Sequence, residues 1–279
     1  MLTKYRLSTL IREIILVLIG IAVLIPFWIL LVTAFKSPLE AASSSAVAPP
    51  MVFDASGFVQ AVSGSGNRNV LVAMLNSTVI TAGSVILLIL IGSIAAYTIA
   101  RRPGRLGNAA YIGFVVGIIL PFQLAMLPTY VALRSIGLLG SHVGMILLYT
   151  GLLMPLAVFL YTGFARVVPA DYEEAASIDG ASKFRIFVNI VFPLLAPATG
   201  TVAIMTGLIV WNDFFTPLIF LSGSKATTLP VMMYSFVGEN ATQWNVIFAV
   251  VILSMIPILT FYLFAQKKFI QGFAGGMKG

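Results

Sequence analysis

The sequence predicts an all-α integral membrane protein: six transmembrane helices and one long functional loop on the cytoplasmic side. Three observations lead there. Of the 279 residues 59% are hydrophobic and 9% charged, with a mean hydropathy of +1.05, whereas a soluble domain carries about 25% charged residues. The charges fall in short gaps between apolar runs, each long enough to cross about 30 Å of hydrocarbon. Lys and Arg gather in alternate gaps, as they do on the cytoplasmic side of a membrane. The composition also excludes. With no Cys and one His there is no disulfide framework, thiol nucleophile or His- or Cys-based zinc site, and a Ser-His-Asp triad would have only His142 to use.

The runs, trimmed by Pro, Gly and polar flanks, place helices near 14–35, 71–99, 110–132, 143–165, 197–220 and 244–264 of a single transmembrane domain spanning 1–279. The first run follows Lys4, Arg6 and Arg12 and is trailed by Ala46-Val47-Ala48, a pattern shared with signal peptides. Ile14 to Phe35 is 22 residues, longer than the roughly 7–15 of a signal core, so this helix is predicted to be retained. With the N-terminus inside, twelve basic residues lie inside and four outside. The inner set is Lys4, Arg6, Arg12, Arg101, Arg102, Arg105, Arg166, Lys183, Arg185, Lys267, Lys268 and Lys278. The outer set is Lys36, Arg68, Arg134 and Lys225, so both termini are predicted to be cytoplasmic. The net charge of +7 is then accounted for by anionic lipid and insertion control, with no nucleic-acid partner.

Two connections lie outside, 36–68 and Leu221 to Gln243. The first, with Ser43-Ser44-Ser45 and Gly64-Ser65-Gly66, reads as a solvated connector. The second, with Leu229-Pro230-Val231-Met232-Met233-Tyr234, is apolar enough to pack or interact. Inside, 167–196 is the longest connection and the only place where four acids gather: Asp171, Glu173, Glu174 and Asp179. It reads as two short helices. Asp171 as N-cap with Glu174 three residues on makes a capping-box-like start, and Gly180 suits the position after a helix end. Ser182 then caps a second helix through Lys183, Arg185, Ile186 and Ile190 that ends at Pro193. Ala175 and Ala176 leave room for another surface to approach. A helix this short needs packing to be stable. Glu173 and Asp179 read as solvated charges offsetting Lys183 and Arg185.

The spacing Glu174-Ala175-Ala176, three residues, Gly180, nine residues, Ile190-Val191-Phe192-Pro193 resembles the EAA loop of permease subunits of binding-protein-dependent ABC importers. Phe192 stands where that pattern usually has Leu. Asn76-Ser77, Trp211-Asn212-Asp213, Thr228-Leu229-Pro230 and the tail from Gln266 through Phe269 to Lys278-Gly279 are similar to the carbohydrate-uptake branch, specifically the shorter of the two maltose-type sugar permeases. The resemblance implies an ABC importer type I permease fold and a subunit without catalysis. It would sit in a bacterial or archaeal cytoplasmic membrane beside a second homologous permease, two copies of an ABC ATPase and an extracytoplasmic solute-binding protein, and would pass a sugar. In the family the loop seats in a cleft of the ATPase. By position, Glu174, Ala175, Ala176 and Gly180 would be the docking core, with Ile186, Phe187, Ile190 and Pro193 as anchors. The glycines of the tail would lie within reach of the ATPase pair or fray.

No cofactor is expected on this chain, because it contains no G-x-x-x-x-G-K-[ST] and no Gly-Lys pair. ATP and Mg would belong to the partner ATPase. Asp213 is the one acid inside a predicted span, which makes it a functional candidate. With Asn76, Gln123, Trp211 and Asn212 it is a candidate for the substrate path; hydrogen-bonded packing between helices is an equal reading, for Tyr130 as well. Gly113 and Gly117 have G-x-x-x-G spacing. The alternatives are an import permease for a non-sugar solute, an ion-coupled secondary transporter using Asp213, and a structural or insertion subunit. A lone acid and no evident internal repeat argue against the second, and the EAA spacing against the third.

Overall fold

A computed structural model of the chain describes residues 7–64, 69–102, 104–237 and 243–276. Lys4, Arg6, Arg68, Lys278, Gly279 and Ser65-Gly66 lie outside them. The helices are α1 Leu7–Ala34, α2 Pro38–Ser43, α3 Ser56–Ser63, α4 Val70–Ala100, α5 Arg105–Ile119, α6 Met126–Ser135, α7 His142–Val167 and α8 Asp171–Ile178. There follow α9 Lys183–Ile186, α10 Phe192–Leu194, α11 Ala196–Asn212, α12 Phe215–Phe220, α13 Leu229–Tyr234 and α14 Trp244–Gly276.

By length and apolar composition, Thr9–Ala34 of α1, α4 and α7 can each cross a bilayer as one helix. The predicted third span is not one helix. Arg105–Ile119 and Phe122–Ser135 meet at 93°, because Pro121 lacks an N–H and drives Leu120 into extended backbone (φ −68°, ψ 124°). The predicted fifth span likewise stops at Asn212, where Asp213 turns extended (φ −70°, ψ 122°) and α12 begins separately. At its other end α11 joins the Lys183–Leu194 segment at a 71° bend. Pro197, in the first turn of α11, costs no intrahelical hydrogen bond there.

The chain forms two compact units, Met1–Leu71 with Met232–Ile258, and Val72–Val231 with Leu259–Gly279. In the first, Trp28 Nε1 donates to the Val47 carbonyl at 2.9 Å, and Phe35 stacks on Phe53 at 4.3 Å. Lys36 is buried, its ammonium donating to Ser44 Oγ at 2.9 Å and the Ser45 carbonyl at 2.8 Å. Gly57 of α3 lies so close to α14 that a Cβ would sit 2.8 Å from the Asn245 carbonyl oxygen. The apolar stretch of α1 is unburied, the condition of a helix whose surroundings are lipid or another membrane helix.

In the second unit α7 is central and packs against α5 and α11. Small residues set its approach to α4: a Cβ at Gly83 would meet the Ile146 side chain at 2.6 Å, and one at Gly92 the Ala157 Cβ at 3.2 Å. Gly117 abuts the Pro155 ring, whereas Gly113 faces open space, so the predicted G-x-x-x-G face is half used within the chain. Leu88, Tyr149, Ala157, Tyr161, Val191, Ala198 and Val202 form the buried centre.

Candidate functional site

The acid-rich loop takes its shape from the sequence around Gly180. Helix α8 ends at Ile178 with Asp179 as its cap, and Gly180 follows with φ +80°, a conformation costly for any residue with a Cβ. Its N–H donates to the Ser177 carbonyl at 3.1 Å, while that of Ala181 reaches back to the Ala176 carbonyl at 3.0 Å. This pair of bonds is a Schellman closure, which satisfies carbonyls left open at a helix end. Ser182 then caps α9, its hydroxyl accepting from the Arg185 amide at 3.4 Å, as predicted.

The start of α8 differs from expectation. Ala170 occupies the cap position, no side chain caps it, and Asp171 is already helical. The amides of Glu173 and Glu174 both donate to the Ala170 carbonyl, at 2.8 and 3.0 Å, so no capping box forms. Beyond α9 the chain makes a π turn over Phe187–Val191, in which the Phe192 amide reaches the Phe187 carbonyl. Ile186, Phe187 and Val191 are buried, Ile190 is half-buried, and Pro193 is exposed. The base of the loop is therefore seated mainly by Ile186, Phe187 and Val191. Asp171, Glu174, Ala175, Asp179 and Gly180 are exposed, whereas Ala176 turns partly inward against the unit's own core.

Glu173, expected to be a solvated charge, is instead held in place. Its Oε1 accepts from Arg101 Nε at 2.7 Å and its Oε2 from the Tyr97 hydroxyl at 2.7 Å. Arg101 also donates through Nη2 to the Val168 carbonyl at 2.8 Å. Tyr97 packs on Phe187 at 5.3 Å between ring centres. The available clue was that Tyr97 and Arg101 are four apart at the end of one span, which puts them on one helix face. A second fastening holds the neighbouring helices, with the Arg166 guanidinium 4.6 Å over the Tyr111 ring.

The residues predicted for a substrate path are distributed over α4, the 93° break before α6 and the end of α11. Asn76 is buried and fully engaged: its amide donates to the Lys225 and Thr227 carbonyls at 3.3 and 3.0 Å, and its oxygen faces His142 Nε2 at 2.8 Å. An amide oxygen only accepts, so Nε2 carries a proton. Asp213 accepts from the Tyr149 hydroxyl at 2.9 Å through one oxygen, and from the Phe215 and Thr216 amides at 3.0 and 3.2 Å through the other. It thereby caps α12 and ties it to α7. Asn212 is exposed and donates to the Leu208 carbonyl at 2.8 Å. Gln123 is exposed at the 93° break, and Trp211 is half-buried. Tyr130 packs on Phe220 at 5.9 Å.

Residues 88–274 match the family model described as "Binding-protein-dependent transport system inner membrane component". The chain belongs to this family. The permease is similar to the Bacillus subtilis protein "Melibiose/raffinose/stachyose import permease protein MelC", 36% identical over 93% of this chain and 92% of that one. It is also similar to the "Probable starch degradation products transport system permease protein AmyC" of Thermoanaerobacterium thermosulfurigenes, 32% identical over 90% of each chain. Among solved structures, a bacterial ABC transporter involved in the import of the acidic polysaccharide alginate has a chain that superposes with a TM-score of 0.80. The superposition covers 95% of this permease and 99% of that chain at 20% identity, a likeness of fold. The permease is thus an all-helical membrane transport component and not a catalytic subunit, and it works with an ATPase and a solute-binding protein.

Proposed function

We propose that the permease passes a sugar or oligosaccharide into the cytoplasm in an ATP-driven importer, and that α8 with its Gly180 turn is the element through which the ATPase drives it. The single observation that carries this reading is the geometry of that loop. A short acidic helix with Glu174 and Ala175 outward is closed by a left-handed glycine and seated on an apolar base, a rigid cap suited to passing force into the helices behind it. Support for the sugar comes from the relatives' names, MelC and AmyC among them.

In this reading the loop and both termini face the cytoplasm. A second, homologous permease completes the path, two ATPase subunits bind the ATP and Mg, and an extracytoplasmic protein delivers the sugar. ATPase closure moves the helices between inward- and outward-facing states. Glu174, Ala175 and Gly180 form the docking surface, with Ala176 backing it from inside.

The test is purification of the tagged permease from its native membrane in mild detergent, with mass spectrometry of what accompanies it, an ATPase assay, and uptake of a panel of labelled oligosaccharides by vesicles. Recovery of a P-loop ATPase that is lost in Glu174→Lys, together with uptake of an oligosaccharide, is the expected result. A chain that transports alone would overturn it.

A further inference from the structure

We infer that α4 is a connecting rod between the loop at one of its ends and the segment Lys225–Leu229 at the other, with Glu173 and Arg101 as the positioning residues that fasten the loop to it. This rests on the proposed function, in which the ATPase moves that loop. Four observations carry it.

First, both oxygens of Glu173 are taken by α4 side chains, Tyr97 and Arg101. Its side chain is 14% exposed, while Glu174 beside it is free to face a partner. Second, the fastening grips both limbs of the loop: Arg101 holds the Val168 carbonyl before α8, and the Tyr97 ring lies against Phe187 after α9. A push on α8 therefore reaches α4 along three routes. Third, α4 is an unbroken helix of 31 residues without proline, unlike the two bent segments of the same unit. Gly83 and Gly92 let α7 lie close against it, which stiffens the pair.

Fourth, the opposite end of α4 carries its own fastenings, about 30 Å from Tyr97 at 1.5 Å per residue. Asn76 holds the Lys225 and Thr227 carbonyls, and Ser77 Oγ accepts from the Leu229 amide at 2.9 Å. These are backbone groups, so the segment follows the helix whatever its side chains do. A helix pinned at both ends passes displacement from one face of the membrane to the other without any change in its own fold.

The test uses the whole transporter in lipid vesicles. The chain has no Cys, so Lys225→Cys, at an exposed side chain whose backbone alone is used, supplies one labelling site in it for a nitroxide. The probe is MgATP, and the readout is the change in the nitroxide spectrum on addition. Glu173→Gln and Arg101→Met are expected to retain the co-purified ATPase and to lose the ATP response by about fivefold or more, the range of ordinary coupling. Tyr97→Phe, which removes one hydrogen bond and leaves no charge unpaired, should lose part of it. The reversed pair Glu173→Arg with Arg101→Glu should regain the response, which a merely misfolded variant would not.

A full ATP response in both single variants would overturn the rod, as would loss of the ATPase from them, since Glu173 would then be a docking residue. Absence of rescue by the reversed pair would overturn the ion pair's role. A wild-type complex with no ATPase and no ATP response would instead overturn the importer reading, and the rod with it.

Discussion

Asp213 is the residue at which two accounts of this chain diverge, and substitution separates them. Its carboxylate caps α12 through the Phe215 and Thr216 amides and accepts from Tyr149. In Asp213→Ala the lost cap costs about 1 kcal/mol. The Tyr149 hydroxyl, on a side chain only 1% exposed, is left without its acceptor at about 1–3 kcal/mol. The sum, about 2–4 kcal/mol, should lower the unfolding midpoint in detergent by several degrees, at roughly 2–4 °C per kcal/mol for a chain of this size. Asp213→Asn keeps a carbonyl for the two amides and turns an NH₂ toward the tyrosine oxygen, so it should cost about 1 kcal/mol or less. The assays are thermal denaturation of the purified complex and the KM and maximal rate of uptake. We expect Asp213→Asn to transport almost normally and Asp213→Ala to lose rate with falling stability and no change in KM. Loss of transport in Asp213→Asn at undiminished stability would refute the reasoning, because the charge itself would then be at work.

Glu174→Lys should abolish uptake at normal membrane content, as judged by quantitative blotting. Gly180→Val should do the same, because a β-branched residue at φ +80° costs at least about 1–2 kcal/mol and opens the turn. Asn76→Ala removes three hydrogen bonds from the Lys225–Leu229 segment and its His142 neighbour; limited proteolysis should cut near Gly223 severalfold faster than in wild type. Gly57→Val places a side chain against the Asn245 backbone, and should cost about 1–3 kcal/mol in denaturation while α7 and its neighbours stay packed.

Much of the fold could be read because lipid makes hydropathy a direct signal. The loop could be read because its turn needs a glycine and its second helix a serine cap, and both needs are met by the residue types present. The breaks were less legible. Pro121 was visible, but Pro26, Pro155 and Pro257 lie inside continuous helices, so proline alone does not say where a span bends; neighbouring packing decides. Glu173 was misread for a different reason. Whether an acid on an amphipathic helix faces water depends on what lies across from it, and Tyr97 and Arg101 are 76 and 72 residues away. Asp213 and Asn76 stand out in the sequence as polar groups in apolar runs, and their engagement with backbone amides and carbonyls became visible only once the segments they hold were placed beside them.

The π turn at Phe187–Val191 is a place of slack in chain length. Such a turn holds one more residue than an α-helical turn over the same path. Removing exposed Asn189 would let Lys183–Leu194 wind as a regular helix over that path, and the helices on either side would keep their bearings. A residue removed from the regular turns beyond it meets no such slack, and everything past the cut would turn by about 100° and advance by about 1.5 Å. The compass bearing of Glu174 is therefore tolerant of a one-residue deletion at the π turn and intolerant of the same deletion one turn away.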